Sequence, residues 1–253
     1  MERVFTGKHA LVIGGTGGIG RAAALALAER GAAVTVTGGN SPERLEAALF
    51  ALGTNRAEIP AAEGFLCRIG GPKGFSPEQA AVYILEKVQF PQRPLDILVF
   101  AWGPFKKVPL HETKPEDWRL LVESNLIFPG ILISSVLCSM IKRRWGRILL
   151  FGGTNTTEIR GFSGTAAYGA AKTALGVLAK STARSAGPEV TCNVLCPGLT
   201  DTEYNSPEEQ KYNKTKNPGG ALTPADIVRT AMAVLENPAV NGALIPIDRG
   251  LWL

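Results

Sequence analysis

The amino-acid sequence predicts a three-layer α/β/α fold, in which helices cover both faces of a doubly wound parallel sheet of about seven strands. Two observations support this prediction. Short apolar segments alternate with longer helical patterns along the whole chain, and most of the short segments lack the polar–apolar alternation of a half-exposed strand. Strands that are buried on both faces form near-continuous apolar runs, which is typical of parallel sheets with right-handed crossover helices.

The predicted elements alternate between strand and helix from one end of the chain to the other. Seven segments are predicted to be strands, namely Ala10–Ile13, Ala33–Thr37, Gly64–Cys67, Leu95–Phe100, Arg147–Phe151, Val190–Leu195 and Ala243–Ile247. Six are predicted to be helices, namely Arg21–Arg30, Glu43–Ala51, Glu78–Val88, Glu116–Arg144, Ala166–Ala186 and Ala225–Glu236. Four helix starts combine a hydroxyl N-cap with a following proline, at Ser41-Pro42, Ser76-Pro77, Ser206-Pro207 and Thr223-Pro224. The polar segment Asn205–Gly220 is predicted to be a mobile loop with one helical turn after Pro207.

Composition and charge predict one domain, residues 1–253, and argue against several classes of function. The chain has 253 residues, of which 45% are hydrophobic, and no linker or internal repeat divides it. The net charge of +5 is dispersed and the four cysteines form no C-x-x-C pair, so neither nucleic-acid binding nor a metal site is expected. The longest apolar run, Leu126–Ile141, contains Pro129 and is too short to span a membrane. The first residues lack a signal-peptide pattern, so a cytoplasmic location is expected.

A glycine-rich turn follows the first predicted strand and opens the first helix. Two spacings fit it, Gly15-x-Gly17-x-x-Gly20 and Gly14-x-x-x-Gly18-x-Gly20, and the sequence does not choose between them. Glycines let the backbone turn tightly and approach a pyrophosphate at the N-terminus of the helix. The turn therefore predicts a dinucleotide site whose residues are Gly14, Gly15, Thr16, Gly17, Gly18, Ile19 and Gly20.

The end of the second strand indicates which dinucleotide binds. An acidic residue at this point would bond the ribose hydroxyls and favour NAD(H), but the segment Thr37–Ser41 has none. Asn40 and Ser41 could donate hydrogen bonds to a 2′-phosphate, and Arg44 or Arg21 could supply positive charge. The sequence therefore favours NADP(H) over NAD(H), although no arginine occupies the strand end itself.

Tyr168 and Lys172 are four residues apart near the start of a predicted helix, which places both side chains on one face of it. A tyrosine hydroxyl has an ordinary pKa of about 10, and a neighbouring ammonium is expected to lower it. Tyr168 is therefore a candidate general acid for the reduction of a ketone and general base for the oxidation of an alcohol.

Together these features resemble the short-chain dehydrogenase/reductase family over essentially the whole chain. The resemblance rests on the glycine turn, Leu95–Val99, Asn125, Tyr168-x-x-x-Lys172 and Asn193–Thr202. It implies a Rossmann fold, hydride transfer with NAD(P), and a dimer or tetramer. It also implies that Lys172 holds the nicotinamide ribose beside Tyr168 and that Asn125 supports a water relay to the lysine. Further cofactor contacts implied in the same way are Gly103, Pro197, Gly198 and Thr200.

Four positions depart from the pattern of this family, which indicates a divergent member. The family's serine after the fifth strand corresponds to Gly153 when counted from the strand and to Asn155 when counted from Tyr168. Thr154 is our first choice for the missing hydroxyl, Thr156 is the second, and Asn155 could donate through its amide. Phe100–Gly103 replaces the Asn-Asn-Ala-Gly motif, Ile13 replaces a threonine, and Arg68 replaces an aspartate, where it could stack on adenine or face solvent.

Three functions are consistent with these residues. The first is an NADP(H)-dependent reductase of a carbonyl compound in which Tyr168 protonates the oxygen. The second is a dinucleotide-binding sensor or scaffold with little catalysis, which the missing serine favours, and the third is an enoyl-type reductase. The presence of Tyr168, Lys172 and Asn125 together favours the first.

The substrate and the partner surfaces are less constrained by the sequence. Candidates for the substrate pocket are Trp102, Phe105, Phe162 and the loop Asn205–Gly220. Candidate subunit contacts are the helices around Leu126–Met140 and Thr173–Ala183, and the apolar tail Ile245–Leu253.

Overall fold

One sheet of seven parallel strands forms the centre of the fold, in a computed structural model that describes residues 3–53, 62–71 and 73–251. The strands are β1 His9–Ile13, β2 Ala33–Gly38, β3 Glu63–Leu66, β4 Ile97–Phe100, β5 Gly146–Phe151, β6 Val190–Pro197 and β7 Leu244–Ile247. Their order across the sheet is β3-β2-β1-β4-β5-β6-β7, which confirms the predicted doubly wound sheet. The direction of winding reverses between β1 and β4, and a crevice at their carboxyl ends is where such sheets bind ligands.

Helices cover both faces of the sheet and complete the three predicted layers. They are α1 Gly18–Glu29, α2 Pro42–Gly53, α3 Pro77–Lys87, α4 Pro115–Val122, α5 Phe128–Lys142, α6 Ala166–Ala186, α7 Pro207–Lys216 and α8 Pro224–Glu236. A short 3₁₀ turn, Leu110–Glu112, precedes α4, and a π-helical turn, Glu123–Ile127, joins α4 to α5. Helices α3, α5 and α6 pack on one face of the sheet, and α1 and α8 pack on the other.

Alternate residues of each central strand enter two separate apolar cores. In β1, Leu11 and Ile13 join the core beneath α5, whereas Ala10 and Val12 join the core beneath α1. Successive side chains of a strand point to opposite faces, so a strand covered on both sides needs apolar residues at every position. This is the physical reason for the continuous apolar runs in the sequence. Cys192 and Cys196 of β6 fill the core beneath α5 and α6, as small apolar residues would.

The predicted N-caps are present at all four helices, since the Ser41 hydroxyl also accepts a hydrogen bond from the Arg44 backbone amide, at 3.3 Å. The hydroxyls of Ser76, Ser206 and Thr223 each accept a hydrogen bond from the backbone amide three residues later, and each forms a full capping box. One of these helices corrects the sequence prediction. Where we expected a mobile loop with one helical turn, α7 continues for ten residues from Pro207 to Lys216.

Helices α4 and α5 and the π-helical turn between them form one continuous apolar helix. The helix runs from Pro115 to Lys142, and its length and composition would also suit a membrane span, with a mean hydropathy of 1.8 over its most apolar window. Buried side chains account for 44% of that window, and Phe128, Leu132 and Val136 belong to the core. The core helix of a soluble protein can have the same length and composition, so these two properties are weak evidence for a membrane span.

The sequence also predicted a subunit contact by the tail Ile245–Leu253. Its last two residues, Trp252 and Leu253, lie outside the described residues.

Candidate active site

The candidate site is a cleft at the carboxyl ends of β1, β2, β4, β5 and β6. A larger cavity of about 490 Å³ lies between the glycine turn and the end of β2, and a smaller one of about 240 Å³ lies between β5, β6 and α6. Both are lined by Ile19, Ala101, Trp102, Gly103 and Thr202, so the two cavities adjoin. The fold thus brings the glycine turn, which the sequence assigned to the cofactor, next to Tyr168 and Lys172.

The glycine turn is shaped by backbone conformation and by close contacts. Gly14 and Gly18 have φ angles of +79° and +52°, which disfavour any side chain, and a Cβ at Gly20 would lie 2.2 Å from the Gly14 carbonyl oxygen. This agrees with the wider of the two spacings, Gly14-x-x-x-Gly18-x-Gly20. Gly15 does not line the cavity, because it packs against Val36 of β2. Helix α1 begins at Gly18, three residues before the predicted start, so its free amides lie in the turn itself.

The far end of the larger cavity carries the residues that we associated with a 2′-phosphate. Asn40, Ser41 and Arg44 line it, and no acidic side chain is among its described lining residues. Ser41 is the N-terminal neighbour of α2 and donates a hydrogen bond of 2.7 Å from its hydroxyl to Glu43. Arg68 is exposed and lines neither cavity, so the geometry does not favour its predicted contact with adenine.

Tyr168 lies in the first turn of α6 and faces the smaller cavity. A Cβ at Gly153 would lie 2.9 Å from its ring and 3.3 Å from its hydroxyl oxygen, so the ring rests directly on this glycine. The ring of Phe105 meets it edge to face, with the centroids 5.0 Å apart. Burial, with a smaller contribution from Cys196, raises the pKa of Tyr168 to about 12. We expected Lys172 to lower this pKa, and that expectation was wrong for this arrangement, because desolvation dominates over a lysine Nζ that is 5.8 Å from the ring centroid.

Lys172 is almost completely buried one helical turn further along α6. Its Nζ donates a hydrogen bond of 2.8 Å to the carbonyl oxygen of Phe151 at the end of β5. Burial lowers the pKa of Lys172 to about 8, although the neighbouring Cys196 opposes this shift. A phenol that keeps its proton at neutral pH therefore lies beside an amine that can exchange one.

Asn125 occupies the π-helical turn between α4 and α5, a kind of irregularity that is frequent at functional sites. Its amide nitrogen donates to the carbonyl oxygens of Leu121 and Pro104, both at 3.0 Å. Its Oδ1 is buried and has no hydrogen-bond partner. A Cβ at Gly103 would lie 2.0 Å from this oxygen and 3.4 Å from Lys172 Nζ, so the free acceptor and the lysine flank the same glycine.

The segment after β5 decides which hydroxyl faces the cavity. Thr154 lines the smaller cavity, and its hydroxyl donates to the carbonyl oxygen of Pro197 at 3.2 Å. The hydroxyl of Thr156 is buried and bonds the backbone of Gly153 as both donor and acceptor. Asn155 adopts a φ of +62° and lines neither cavity. The geometry favours Thr154, our first choice, as the hydroxyl available to a substrate.

The remaining predicted residues separate into cavity and core. Pro197, Gly198 and Thr200 line the smaller cavity, and their contact with the cofactor stays a prediction. Trp102 lines both cavities, whereas Phe162 packs against Gly169 of α6 and lines neither.

Sequence reasoning missed three neighbouring residues that follow β6. Thr202 lines both cavities, Tyr204 lines the larger one, and Glu203 bonds the glycine turn. Their position just after Pro197 and Gly198 was the available signal, but nothing local indicates a contact with a turn that lies 185 residues earlier.

Comparisons with known proteins agree with this fold. The family model described as short chain dehydrogenase matches residues 8–213. The 3-oxoacyl-[acyl-carrier-protein] reductase FabG of Escherichia coli strain K12 is 32% identical, over 98% of this chain and 99% of its own. The 2-dehydro-3-deoxy-D-gluconate 5-dehydrogenase of Formosa agariphila is 27% identical, over 97% of this chain and 92% of its own. A solved structure of a 3-oxoacyl (acyl-carrier-protein) reductase from Agrobacterium tumefaciens C58 with NADP bound has a TM-score of 0.83 and 28% identity, over 98% of this chain and 95% of that one.

Proposed function

Because this chain belongs to the short-chain dehydrogenase family, we propose that it is an NADP(H)-dependent oxidoreductase that reduces a carbonyl substrate, with Tyr168 as the proton donor. The main support is that Tyr168 and Lys172 lie in a cavity that adjoins the glycine turn. A protein that only binds a dinucleotide has no chemical need for a buried lysine beside a protonated phenol. The reverse reaction, oxidation of an alcohol, would use the same groups.

The described residues fit a nicotinamide dinucleotide. Gly14, Gly17 and Gly18 line the larger cavity without side chains, so that a pyrophosphate can approach the backbone, and the orphaned Oδ1 of Asn125 can accept a hydrogen bond from a relay water. Residues of the glycine turn would hold the pyrophosphate, while Lys172 and Thr200 would border the nicotinamide end. When bound, the nicotinamide ring supplies or accepts the hydride.

The two shifted pKa values support the proposed protonation of the substrate oxygen. With a pKa of about 12, Tyr168 keeps its proton at neutral pH and can transfer it to an oxygen on which negative charge develops. Lys172, with a pKa of about 8, can return a proton to the phenolate through the Asn125 side of the cleft. The Thr154 hydroxyl can turn from Pro197 to the substrate oxygen and stabilise the same charge.

The preference for NADP(H) rests on the end of β2. Arg44 lines the larger cavity with Asn40 and Ser41, and an arginine is well suited to bind a 2′-phosphate. The NADP-bound relative is consistent with this preference.

For the substrate, we propose a 3-oxoacyl compound whose ketone is carried on an apolar chain. Two of the relatives are 3-oxoacyl-carrier reductases by name, and Phe105 offers an exposed aromatic surface against Tyr168. We also propose a cytoplasmic homodimer or homotetramer. Exposed Ile127, Ile141 and Val177 on the α4–α5 helix and α6 are consistent with the helix contact that the sequence suggested.

A second candidate function, a dinucleotide sensor or scaffold with little turnover, is favoured by one observation. Gly153 takes the place of the hydroxyl beside Tyr168, and the nearby Thr156 hydroxyl is used by the backbone. The sensor is favoured only if the Thr154 hydroxyl does not replace the serine of the family pattern.

Titration with NADPH and NADH, followed by tryptophan emission, is the experiment that tests the proposed function, because Trp102 lines both cavities. We expect NADPH to bind more tightly, and Arg44→Ala to remove this preference while Arg68→Ala keeps it. Oxidation of NADPH by acetoacetyl thioester is then compared with oxidation by a keto-sugar acid. Tighter binding of NADH would contradict the cofactor assignment, and tight NADPH binding without oxidation by any carbonyl would favour the sensor.

A further inference from the structure

The segment that follows β6 lies across the glycine turn. Residues Thr202–Asn205 form a short turn, in which the backbone amide and hydroxyl of Thr202 both donate to Asn205 Oδ1, at 2.8 and 3.0 Å. The backbone amide of Asn205 donates back to the Thr202 carbonyl oxygen at 3.2 Å. Because these bonds are internal, the turn can keep its shape while it moves, and we call Glu203 and Tyr204 at its centre the covering pair.

Glu203 bonds the first amide of α1. The backbone N–H of Gly18 donates to Glu203 Oε1 at 3.0 Å, and Arg21 forms an ion pair with the same oxygen at 3.4 Å. Burial alone would raise the pKa of Glu203, but the hydrogen bonds from its own backbone amide and from Gly18, with the charges of Arg21 and Arg44, lower the pKa below its ordinary value. A carboxylate therefore occupies the anion-binding end of the helix, where the N–H groups and the helix dipole favour negative charge.

Tyr204 covers the adjacent glycine. A Cβ at Gly17 would lie only 2.0 Å from the Tyr204 hydroxyl oxygen, so the phenol rests against the surface that a pyrophosphate would approach. On its other side the ring is stacked by the guanidinium of Arg44, 4.5 Å from the ring centroid. The covering pair thus contacts both the glycine turn and the arginine that we assign to the 2′-phosphate.

We propose that the covering pair competes with the dinucleotide for the glycine turn. The pair must leave the turn before any dinucleotide can bind. This inference rests on the proposed function, because it concerns the same cofactor site. One amide cannot donate fully to the Glu203 carboxylate and to a phosphate at once, and the Tyr204 hydroxyl and a phosphate cannot share the space beside Gly17. In the central step, the Glu203 carboxylate leaves the Gly18 amide and a phosphate of the dinucleotide takes its place.

Competition of this kind has a quantitative signature. When only a fraction of molecules is open, the apparent Kd equals the intrinsic Kd divided by that fraction, so a pair that is closed in nine molecules of ten raises Kd about tenfold. The pair must leave for NADPH and for NADH alike, so its removal lowers both Kd values by the same factor. A residue that contacted the 2′-phosphate in the bound state would instead change the ratio of the two.

The chain offers matched controls for both residues of the pair. Glu208 is an exposed carboxylate in the first turn of α7, and Tyr212 is an exposed tyrosine of the same helix whose ring lies near Lys216. Neither is among the residues that line the two cavities of the site. Glu208→Ala and Tyr212→Leu therefore reproduce the chemical change without touching the proposed competitor.

The experiment measures Kd and association rate for NADPH and NADH, by nicotinamide and tryptophan fluorescence, in the wild type, Glu203→Ala, Tyr204→Leu and both controls. Inorganic pyrophosphate, titrated by calorimetry, probes the glycine turn alone. We expect Glu203→Ala and Tyr204→Leu to lower both dinucleotide Kd values about tenfold with an unchanged ratio, to speed association, and to strengthen pyrophosphate binding, while the controls match the wild type.

Other outcomes separate this inference from the proposed function. If the wild type binds NADPH but Kd rises or stays the same in both variants, the covering pair is part of the bound site or a bystander, and the competitor is overturned while the cofactor proposal stands. A changed NADH-to-NADPH ratio also overturns it and assigns the pair to 2′-phosphate recognition. If neither dinucleotide binds to any of the proteins, both proposals fail.

Discussion

The side of the central sheet at which the strands begin, here called the amino edge, differs from the side at which they end, here called the carboxyl edge. The difference lies in how the buried polar groups are bonded. At the amino edge, Asp96 accepts hydrogen bonds from the His9 amide and from Arg143, and the Arg147 guanidinium donates to three backbone carbonyls, so the charged groups are paired, although the uncharged His9 Nδ1 and Thr191 Oγ1 have no hydrogen-bond partner. At the carboxyl edge, Asn125 Oδ1 has no partner, and burial has shifted the pKa values of Tyr168 and Lys172 in opposite directions. Groups that are paired with protein atoms stabilise the fold, whereas groups that are left with capacity to bond or exchange protons are available to a substrate.

This difference predicts that substitutions at the two edges have separable effects. Changes at the carboxyl edge should alter turnover and leave stability almost unchanged, whereas changes at the amino edge should do the opposite. Four predictions test this separation.

Tyr168→Phe gives the largest expected effect. Removal of the hydroxyl should lower turnover by about 100-fold or more, because general acid catalysis typically contributes that much. The Kd for NADPH and the midpoint of urea unfolding should stay near wild type, since the ring and its contact with Phe105 remain. Tyr83→Phe on α3, remote from the cleft, is the matched control. Retention of more than about a tenth of the wild-type rate would show that another group donates the proton.

Asp96→Ala should have the converse effect at the amino edge. It removes the ion pair with Arg143 and leaves the His9 amide without its acceptor, which should lower the free energy of unfolding by about 2 kcal/mol. Urea denaturation measures this change, and the turnover of the folded enzyme should match wild type. Glu63→Ala breaks an exposed pair with Arg93 and should cost less than about 1 kcal/mol. A loss of turnover in folded Asp96→Ala would mean that the two edges are coupled.

The sequence predicts some features of the fold and of the candidate site but not others. The strands, the covering helices and the Tyr168-x-x-x-Lys172 pair follow from local periodicity and spacing, which tertiary packing reinforces. The direction of the Tyr168 pKa shift does not, because it depends on how deeply the folded protein buries the ring and, to a smaller extent, on Cys196. The choice of Thr154 over Thr156 depends on a loop conformation in which the Thr156 hydroxyl bonds Gly153.

The contact of the covering pair with the glycine turn could not be predicted from the sequence either. Glu203 and Gly18 are 185 residues apart, and no periodicity relates them. The parallel sheet that the sequence predicts places the ends of β1 and β6 at the same side, but the path of the segment after β6 across the glycine turn is visible only in the structure. Helix α7 was missed for a related reason, since its exposed and strongly polar surface gives no apolar repeat to recognise.

The pH dependence of reduction tests the carboxyl edge again. Lys172 has a pKa of about 8, so its ammonium is lost as the pH rises through that value. We expect kcat for carbonyl reduction to fall roughly tenfold between pH 7 and pH 9, because the positive charge beside Tyr168 disappears. Tyr168 itself stays protonated over this range, since its pKa is about 12. Stopped-flow measurement at saturating NADPH checks this, and a flat profile would contradict a catalytic role for the lysine charge.

The smallest expected effect comes from His9, which titrates at the amino edge and should change stability alone. Burial foremost, with the charge of Arg93, lowers the pKa of His9 to about 4, so the folded protein binds fewer protons than the unfolded chain between about pH 4 and 6.5. Stability should therefore be lost as the pH falls through this window, by about 1 kcal/mol between pH 7 and 5.5. His9→Asn should remove this pH-dependent part of the unfolding free energy, whatever its effect at pH 7, while His111→Asn at an exposed position should keep it. An unchanged pH slope in His9→Asn would mean that another group, and not His9, causes the loss of stability between pH 7 and 5.5.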